Sequence, residues 1–89
     1  MFSIFLHPLA HRELESLDRT VQEAVRRKLK ELEREPRRGK PLTHSRFWSL
    51  RIGDYRAIYE IAQQDRVIVL FIGHRKHVYG DLSRAFRGW

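Results

Sequence analysis

The sequence predicts an α+β fold in which two N-terminal helices pack on one face of a twisted, mainly antiparallel sheet. Apolar residues recur at spacings of three and four between residues 8 and 35, which is the helical period. Between residues 47 and 74, runs of branched and aromatic residues are separated by short polar turns, which indicates successive antiparallel strands. A chain of 89 residues can bury one core, so we expect a single domain over residues 1–89.

The N-terminal part is predicted to form a strand and two helices. Residues 2–6 are apolar and branched or aromatic, as in a strand, and Pro8 suits the first turn of the helix that follows. Asp18 interrupts the helical pattern and can cap a second helix, which is predicted over residues 19–35 and ends before Pro36. Glutamates alternate with arginines and lysines on both helices, which is typical of a solvated surface without chemistry.

A basic segment, three strands and a short helix complete the predicted fold. Residues 36–46 contain Pro and Gly without a period, so we expect a loop, either a plain connector or a flap that touches phosphates. Strands are predicted over residues 47–52, 55–61 and 66–74, giving the order β-α-α-β-β-β. The last strand is almost continuously apolar, so its second face needs a covering element beyond the two helices. A C-terminal helix is expected to begin near Asp81, with an apolar side formed by Leu82, Ala85 and Phe86.

The positive charge of the chain is unevenly distributed. The net charge is +7. Residues 1–35 carry seven Lys/Arg and seven Asp/Glu, whereas residues 36–89 carry eleven and four, which accounts for the whole excess. A basic half of this kind predicts an acidic partner, either nucleic acid, an anionic membrane or an acidic protein, or else a merely soluble basic surface.

Composition excludes several classes of site. The chain has no cysteine, which removes disulfides, thiolate zinc sites and a cysteine nucleophile. No apolar run approaches the roughly 20 residues needed to span a bilayer, and the N-terminal MFSIFL is too short for a signal-peptide core. We therefore expect a cytoplasmic protein that does not contact membranes.

Three arginines are predicted to meet on one surface. Side chains alternate between the faces of a strand, which places Arg51 and Arg56 on adjacent strands, opposite to the apolar face. Arg75 ends the last strand, and its parity permits it to join them. Each arginine alone is compatible with an ordinary exposed position, but three clustered like charges repel one another unless an anion is bound. Guanidinium groups match phosphate oxygens in pairs, so the three predict a phosphate site.

His74 and Tyr79 add groups that can move protons near Arg75. An imidazole changes its charge near neutral pH, and a phenol can donate a hydrogen bond or orient a base. His74 and His77 also have a spacing found in metal sites, but no cysteine or nearby carboxylate completes a ligand set, so we expect neither a metal nor another cofactor. Glu60 is interpreted as the structural partner of an arginine.

Metal-independent RNA cleavage uses groups of these types. The 2′-hydroxyl of a ribose attacks the adjacent phosphate, which requires a base at the 2′-oxygen, cations around the phosphorane and an acid at the leaving 5′-oxygen. DNA lacks the 2′-hydroxyl and would not be cut. The sequence offers no cluster of carboxylates of the kind that holds Mg²⁺ in metal-dependent nucleases.

Two motifs follow the predicted helical pair, LRIGDYRAIY at residues 50–59 and GHRKHVY at residues 73–79. In this order and position, they resemble the RelE branch of the RelE/ParE toxin superfamily. The resemblance covers nearly the whole chain. It implies a toxin of a type II toxin–antitoxin system that cleaves messenger RNA at the ribosomal A site and thereby inhibits translation. By motif position it implies a catalytic set of Arg51, Arg56, His74, Arg75 and Tyr79, in which His74 is a base, an acid or a positioning residue.

The same resemblance implies partners and further phosphate contacts. A cognate, RelB-like antitoxin would wrap the toxin and cover apolar surface, including the second face of the last strand, and operator DNA would be bound only through this antitoxin. The ribosome and mRNA are the other expected partners. Some active relatives have a lysine at the position of Ser49, and residues 36–46 could supply the missing cation. Phosphate-binding residues are expected at Lys76, Arg46, Lys40, Arg37 and Arg38.

Two other functions are compatible with this sequence. A ParE-like inhibitor of DNA gyrase would share the scaffold without RNA chemistry, although such relatives usually lack the HRK-x-VY ending. A non-enzymatic nucleic-acid-binding module would bind RNA and DNA with a steep salt dependence and cut neither.

Overall fold

The computed structural model describes residues 1–85, which form three helices and one five-stranded mixed sheet. The strands are β1 (Ser3–Leu6), β2 (Lys40–Pro41), β3 (Phe47–Ile52), β4 (Tyr55–Ala62) and β5 (Arg66–His74), and the helices are α1 (Pro8–Ser16), α2 (Arg19–Glu31) and α3 (Val78–Ala85). The order across the sheet is β1-β5-β4-β3-β2. The predicted α+β class is confirmed. None of the helices within residues 1–85 is long and apolar enough to cross a bilayer.

Both N-terminal helices begin at capping side chains. His7 Nδ1 accepts a hydrogen bond from the Leu9 N–H at 3.0 Å, and Pro8 occupies the first turn of α1. Asp18 Oδ1 accepts one from the Val21 N–H at 3.0 Å, so the predicted cap of α2 is confirmed. Each cap satisfies a backbone donor that the helix itself leaves unpaired.

Helix α2 is shorter than the sequence predicts. A helix was expected over residues 19–35, whereas α2 ends at Glu31. The N–H groups of residues 32–34 bond carbonyls three residues back, at 3.0 to 3.2 Å, which tightens the chain into a 3₁₀-like turn. Pro36 then lacks the N–H that a further helical turn would need.

Residues 36–46 are not the plain loop that their composition predicts. They contain a 3₁₀ turn, Pro36–Arg38, and the two-residue strand β2. In β2, Lys40 pairs with Ser49 and Pro41 with Trp48. A strand of two residues has almost no local signal, so β2 exists because the edge of β3 offers it hydrogen-bonding partners.

The three predicted C-terminal strands are confirmed. Strands β3 and β5 have the predicted bounds, and β4 is one residue longer. Gly53 has φ +60°, the left-handed conformation that glycine adopts without strain, in the tight turn between β3 and β4. Gln64 and Asp65 have φ of 62° and 55° in the turn between β4 and β5. The antiparallel pairs β2–β3, β3–β4 and β4–β5 outnumber the one parallel pair within residues 1–85, β1–β5.

The sheet buries a separate apolar cluster on each face. Helices α1 and α2 contribute Ala10, Leu14, Val25 and Leu29 to the larger cluster, which also contains the inward residues of β3, β4 and β5. Helix α3 contributes to the second cluster, whose buried members are Phe47, Ile58, Leu70, Phe71, Val78 and Leu82. The expectation that an antitoxin covers the second face of the last strand is therefore corrected, because α3 of the same chain packs there.

Helix α3 begins three residues before the predicted start at Asp81. Val78 is fully buried and begins the helix, and the Asp81 N–H already bonds the His77 carbonyl at 2.9 Å. Burial of Val78 against β5 thus extends the helix beyond its polar start signal. The predicted apolar contact of Phe86 lies outside the described residues.

Candidate functional site

Arg51 and Arg56 lie directly opposite each other in the β3–β4 hairpin. Opposite residues of an antiparallel pair point to the same face, with their Cβ atoms about 4.5–5.5 Å apart, and like charges at this spacing are destabilising. The alternation that the sequence predicts is therefore present, and the two arginine side chains share one face of the sheet.

Ser49 connects this pair to Tyr79. Arg56 Nη1 lies 3.1 Å from Ser49 Oγ and donates to it, and the same oxygen lies 3.0 Å from the Tyr79 hydroxyl. Ser49 is only 2% exposed, whereas Tyr79 is 42% exposed. Tyr79 lies in the first turn of α3, so α3 carries the phenol to the arginine face. We call Arg51, Arg56, Ser49 and Tyr79 the arginine–hydroxyl cluster.

The two arginines of this cluster bind neutral groups. Arg51 Nε donates to the Gly53 carbonyl at 3.4 Å, and Arg56 donates to the Ser49 hydroxyl at 3.1 Å. Within residues 1–85, every Asp and Glu oxygen is more than 4.0 Å, the limit for an ion pair, from both guanidinium groups. Their charge is therefore available to a ligand.

Arg75 lies at the same end of the sheet. Its N–H donates to the Asp54 carbonyl at 2.8 Å, and its Nε lies 3.6 Å from the Asp54 carboxylate. Gly73, two residues earlier, pairs with Arg56. Because the Arg75 and Asp54 side chains are 55% and 69% exposed, their ion pair is solvated and weak. An incoming phosphate can compete for Arg75.

His74 lies on the other face of the sheet. It pairs with Tyr55, and the two rings meet edge-on with centroids 5.5 Å apart. Tyr55 precedes Arg56 in the strand and therefore points away from the arginine–hydroxyl cluster. His74 Nδ1 accepts a hydrogen bond from the Lys76 N–H at 3.2 Å. The structure thus connects His74 to the turn between β5 and α3 rather than to the arginines.

His74 and His77 have the spacing of a metal-binding pair. The His74 and His77 ring centroids are 6.1 Å apart. Within the part of the chain that the structure describes, no three His, Asp or Glu side chains are grouped so that they could hold a metal ion.

The predicted phosphate-binding residues lie in different surroundings. Arg46 pairs with Glu60 at 2.9 Å and lies over the Phe47 ring at 4.8 Å, so Glu60 is the arginine partner that the sequence suggests. Arg37 lies in the 3₁₀ turn and Lys76 in the turn before α3, both exposed. None of these three residues lines the concavity beside the arginine–hydroxyl cluster.

The other two predicted cations do share a surface with the cluster. A concavity of about 320 Å³ lies at the edge of β3, where β2 ends. Its lining includes one further cation, Lys28 of α2, which sequence analysis did not select. We call this concavity the edge cleft; its lining residues are Lys28, Arg38, Gly39, Lys40, Ser49, Leu50, Arg51 and Arg56.

Tyr59 fixes the wall of the edge cleft from beneath the sheet. Its hydroxyl donates to the Pro36 carbonyl at 2.7 Å and accepts from the Gly39 N–H at 3.0 Å. Burial raises the pKa of Tyr59 above its ordinary value, although the Gly39 hydrogen bond opposes the shift. A Cβ on Gly39 would lie 2.7 Å from the Ser49 carbonyl oxygen and 2.8 Å from the Tyr59 hydroxyl. The segment approaches β3 this closely only because residue 39 has no side chain.

Sequence reasoning missed two of these residues. Tyr59 belongs to an apolar stripe, and only its hydroxyl signals a buried hydrogen-bonding partner. Lys28 lies within a run of helical charges that looks like ordinary solvated surface. Its distance in sequence from β3 leaves no local signal of the edge cleft.

Comparison with known proteins identifies the family of this scaffold. The family model described as "ParE toxin of type II toxin-antitoxin system, parDE" matches residues 4–79. The chain belongs to the RelE/ParE superfamily. No curated protein matches the sequence.

Solved structures of RelE/ParE proteins share the fold. A chain of the toxin–antitoxin complex RelBE2 from Mycobacterium tuberculosis is 33% identical, with a TM-score of 0.77, over 83% of this chain and 98% of that chain. A chain of the intact E. coli RelBE toxin–antitoxin complex is 25% identical, with a TM-score of 0.72, over 83% and 96%. The isolated E. coli RelE toxin has a TM-score of 0.74 at 23% identity, over 96% and 98%. The protein is therefore a toxin of a type II toxin–antitoxin system.

Proposed function

We propose that this toxin is a metal-independent endoribonuclease that cleaves mRNA at the ribosomal A site in the cytoplasm and so inhibits translation. One observation carries the proposal. Arg56 donates to Ser49, Ser49 contacts the Tyr79 hydroxyl, and Arg51 faces Arg56 across the hairpin without a carboxylate partner. Such an arrangement matches the charge that develops on a cleaving phosphodiester.

The arginines would act on the phosphate. When the ribose 2′-oxygen attacks, negative charge grows on the non-bridging oxygens of the phosphorane. Arg51 and Arg56 are placed to donate to these oxygens from neighbouring strands, and guanidinium groups can do so in pairs. Arg75 would supply a third cation after leaving Asp54, at the cost of one exposed ion pair.

Tyr79 is our candidate for proton transfer. Its hydroxyl is the exposed hydroxyl of the arginine–hydroxyl cluster, and it lies 3.0 Å from the Ser49 oxygen to which Arg56 donates. It would donate its proton to the leaving 5′-oxygen as the bond from phosphorus to that oxygen breaks. The proton of the attacking 2′-hydroxyl would pass to solvent, which would also return a proton to Tyr79. His74 is proposed as a positioning residue, because its Nδ1 bond to Lys76 shapes the turn that leads into α3.

A cognate, RelB-like antitoxin is proposed as the protein partner. The structural relatives from M. tuberculosis and E. coli include toxin–antitoxin complexes, which supports such a partner for this chain. An antitoxin would neutralise the basic surface, and operator DNA would be bound through it. The ribosome and mRNA are the proposed targets.

The test is a translation extract with end-labelled message. Wild-type toxin should cut message only when ribosomes occupy it. The 5′ fragments should end in a 2′,3′-cyclic phosphate, which is the product when the 2′-hydroxyl and not water attacks the phosphate. An intact message beside folded wild-type protein would refute the proposal.

The ParE name of the matching family favours one alternative, inhibition of DNA gyrase. A supercoiling assay separates the two functions. Loss of supercoiling at stoichiometric toxin, with intact message in the extract, would establish the alternative. Salt-sensitive binding to RNA and DNA without either effect would indicate a non-enzymatic binding module.

A further inference from the structure

The edge cleft extends the cationic surface beyond the reacting phosphate. Lys40 pairs in register with Ser49, so its side chain lies on the same face as Arg51 and Arg56. A diagonal neighbour on the next strand is roughly 7–8 Å away. Lys40 therefore lies beside the arginine pair, diagonal to Arg51 across the β2–β3 pair.

A second wall of the edge cleft carries Lys28 and Arg38. Glu31 Oε1 lies 2.9 Å from Arg38 Nε and 3.8 Å from Lys28 Nζ. Both contacts are ion pairs, and neither has the geometry of a hydrogen bond. This carboxylate oxygen is buried. Glu31 thus holds both cations at the wall. Glu35 Oε2 also pairs with Arg38, at 3.2 Å, so two carboxylates offset these two cations.

The charge of the edge cleft exceeds what one phosphate needs. Five cations line it, Lys28, Arg38, Lys40, Arg51 and Arg56, and the carboxylates of Glu31 and Glu35 offset two of them. A phosphodiester carries one negative charge, so a single phosphate between the arginines leaves most of the surplus unsatisfied. The wall is also preorganised, since Tyr59 holds the segment at Pro36 and Gly39.

We infer that Lys40 and Arg38 form a second phosphate-binding position, which takes the phosphate next to the scissile one in single-stranded RNA. The inference rests on the proposed function and adds to it a direction for the RNA. The sugar–phosphate backbone runs from the arginine pair across the edge of β3 towards β2. Lys28 reinforces this position from α2.

Short 2′-O-methyl oligonucleotides test the inference without cleavage, because they have no free 2′-hydroxyl. A fluorescent dinucleotide with one phosphodiester is compared with a trinucleotide with two, both lacking terminal phosphates. Wild-type toxin should bind the trinucleotide more tightly. Its plot of log affinity against log salt concentration should be steeper by about 0.7, the value for one added contact to a single strand.

Charge variants locate the second position. Lys40→Ala and Arg38→Ala should each abolish the gain from the second phosphodiester, so that the trinucleotide binds no more tightly than the dinucleotide. Lys30→Ala makes the same change of charge on exposed α2 surface outside the edge cleft, and it should keep the gain. Circular dichroism spectra should match for all three variants.

Removal of Glu31 should act in the opposite direction. Glu31→Gln frees Lys28 and leaves Arg38 paired with Glu35 alone, so trinucleotide affinity should rise several-fold. Glu23→Gln, which breaks an exposed pair with Arg19, should not change it. Equal binding of the two oligonucleotides by wild type, or equal losses in Lys40→Ala and Lys30→Ala, would overturn the second position. A toxin that still cuts message under those outcomes leaves the proposed function intact. A toxin that binds the trinucleotide more tightly but never cuts message would support the second position and refute the proposed function.

Discussion

The helical surface and the open end of the sheet handle positive charge in different ways. On the helices, cations have carboxylates one turn away, as in Arg19–Glu23 at 3.9 Å. On the sheet, Arg51 faces another cation, and its neighbours are neutral oxygens. Residues 1–35 are neutral overall, whereas residues 36–89 carry the whole surplus of +7.

This difference separates charge that serves solubility from charge that serves binding. Exposed pairs one turn apart contribute only about 0.3–0.5 kcal/mol each. Two arginines opposite each other are destabilising until an anion joins them. An arrangement that weakens the free protein is stabilised by its ligand, so the sheet end is where substitutions should change function most and the helical surface where they should change it least.

Arg56→Ala should produce the largest effect. It removes one of two facing cations and leaves Ser49 without its donor. Loss of one such donor typically lowers a rate about 10²–10³-fold, so single-turnover cleavage of ribosome-bound message should fall by that factor. Arg56→Lys should recover only part of the rate, because an ammonium group cannot bind two oxygens in a plane. A full rate for Arg56→Ala would show that the facing arginines are not the reacting site.

Alternation along β3 and β4 made the arginine pair predictable from sequence. Gly53 fixes a tight turn, and a tight turn fixes the register, so Arg51 and Arg56 had to face each other. The same pattern predicted the bounds of β3 and β5. Local rules were sufficient here because the pairing partners are close in sequence.

The edge cleft was not predictable in the same way. Lys28 meets β3 across a long stretch of chain, and β2, which carries Lys40, has only two residues. In the sequence, Ser49 stands where some active relatives have a lysine, and no local pattern shows that its hydroxyl contacts both Arg56 and Tyr79. The position of Tyr79 depends on where α3 begins. The polar pattern predicts a start near Asp81, whereas burial of Val78 makes the helix begin three residues earlier. Packing between distant segments decides these features.

Tyr59→Phe should lower stability, because the Tyr59 hydroxyl holds the segment of Pro36 and Gly39 against the sheet. The substitution leaves the Gly39 N–H and the Pro36 carbonyl without their partner. An unsatisfied buried group costs about 1–3 kcal/mol, so the free energy of unfolding should fall by that amount in urea titrations. The exposed helical surface has no comparable hydrogen bond to lose.

The pH dependence of stability tests the same hydroxyl. The pKa of Tyr59 is raised above its ordinary value of 10.0, chiefly by burial. The folded state therefore keeps a proton that the unfolded state releases, so the contribution is complete below about pH 10 and is lost as the pH rises above it. Wild type should lose more stability than Tyr59→Phe between pH 9.5 and about pH 11. Parallel losses would assign the alkaline transition to other groups.

Ser49→Ala should have a smaller effect on the rate than Arg56→Ala. It removes the oxygen that connects Arg56 to Tyr79 but leaves both groups present. One neutral hydrogen bond corresponds to about 1 kcal/mol, so the rate at saturating ribosomes should fall several-fold with little change in KM. Ser49→Thr keeps the hydroxyl and should recover most of the rate. Failure of the threonine variant to recover, with a normal circular dichroism spectrum, would indicate that Ser49 acts through packing alone.

Arg19→Ala should have the smallest effect and thereby sets the reference for the others. The Arg19 side chain is 94% exposed, and its contact with Glu23 is 3.9 Å long. Such a pair changes stability by at most about 0.5 kcal/mol, and cleavage should remain within about twofold of wild type because long-range attraction is screened beyond roughly 8 Å at physiological salt. If Arg19→Ala lowered cleavage as much as Arg56→Ala, charge at any position would matter equally. The contrast between the two surfaces would then be a matter of total charge, and the facing arginines would have no special role.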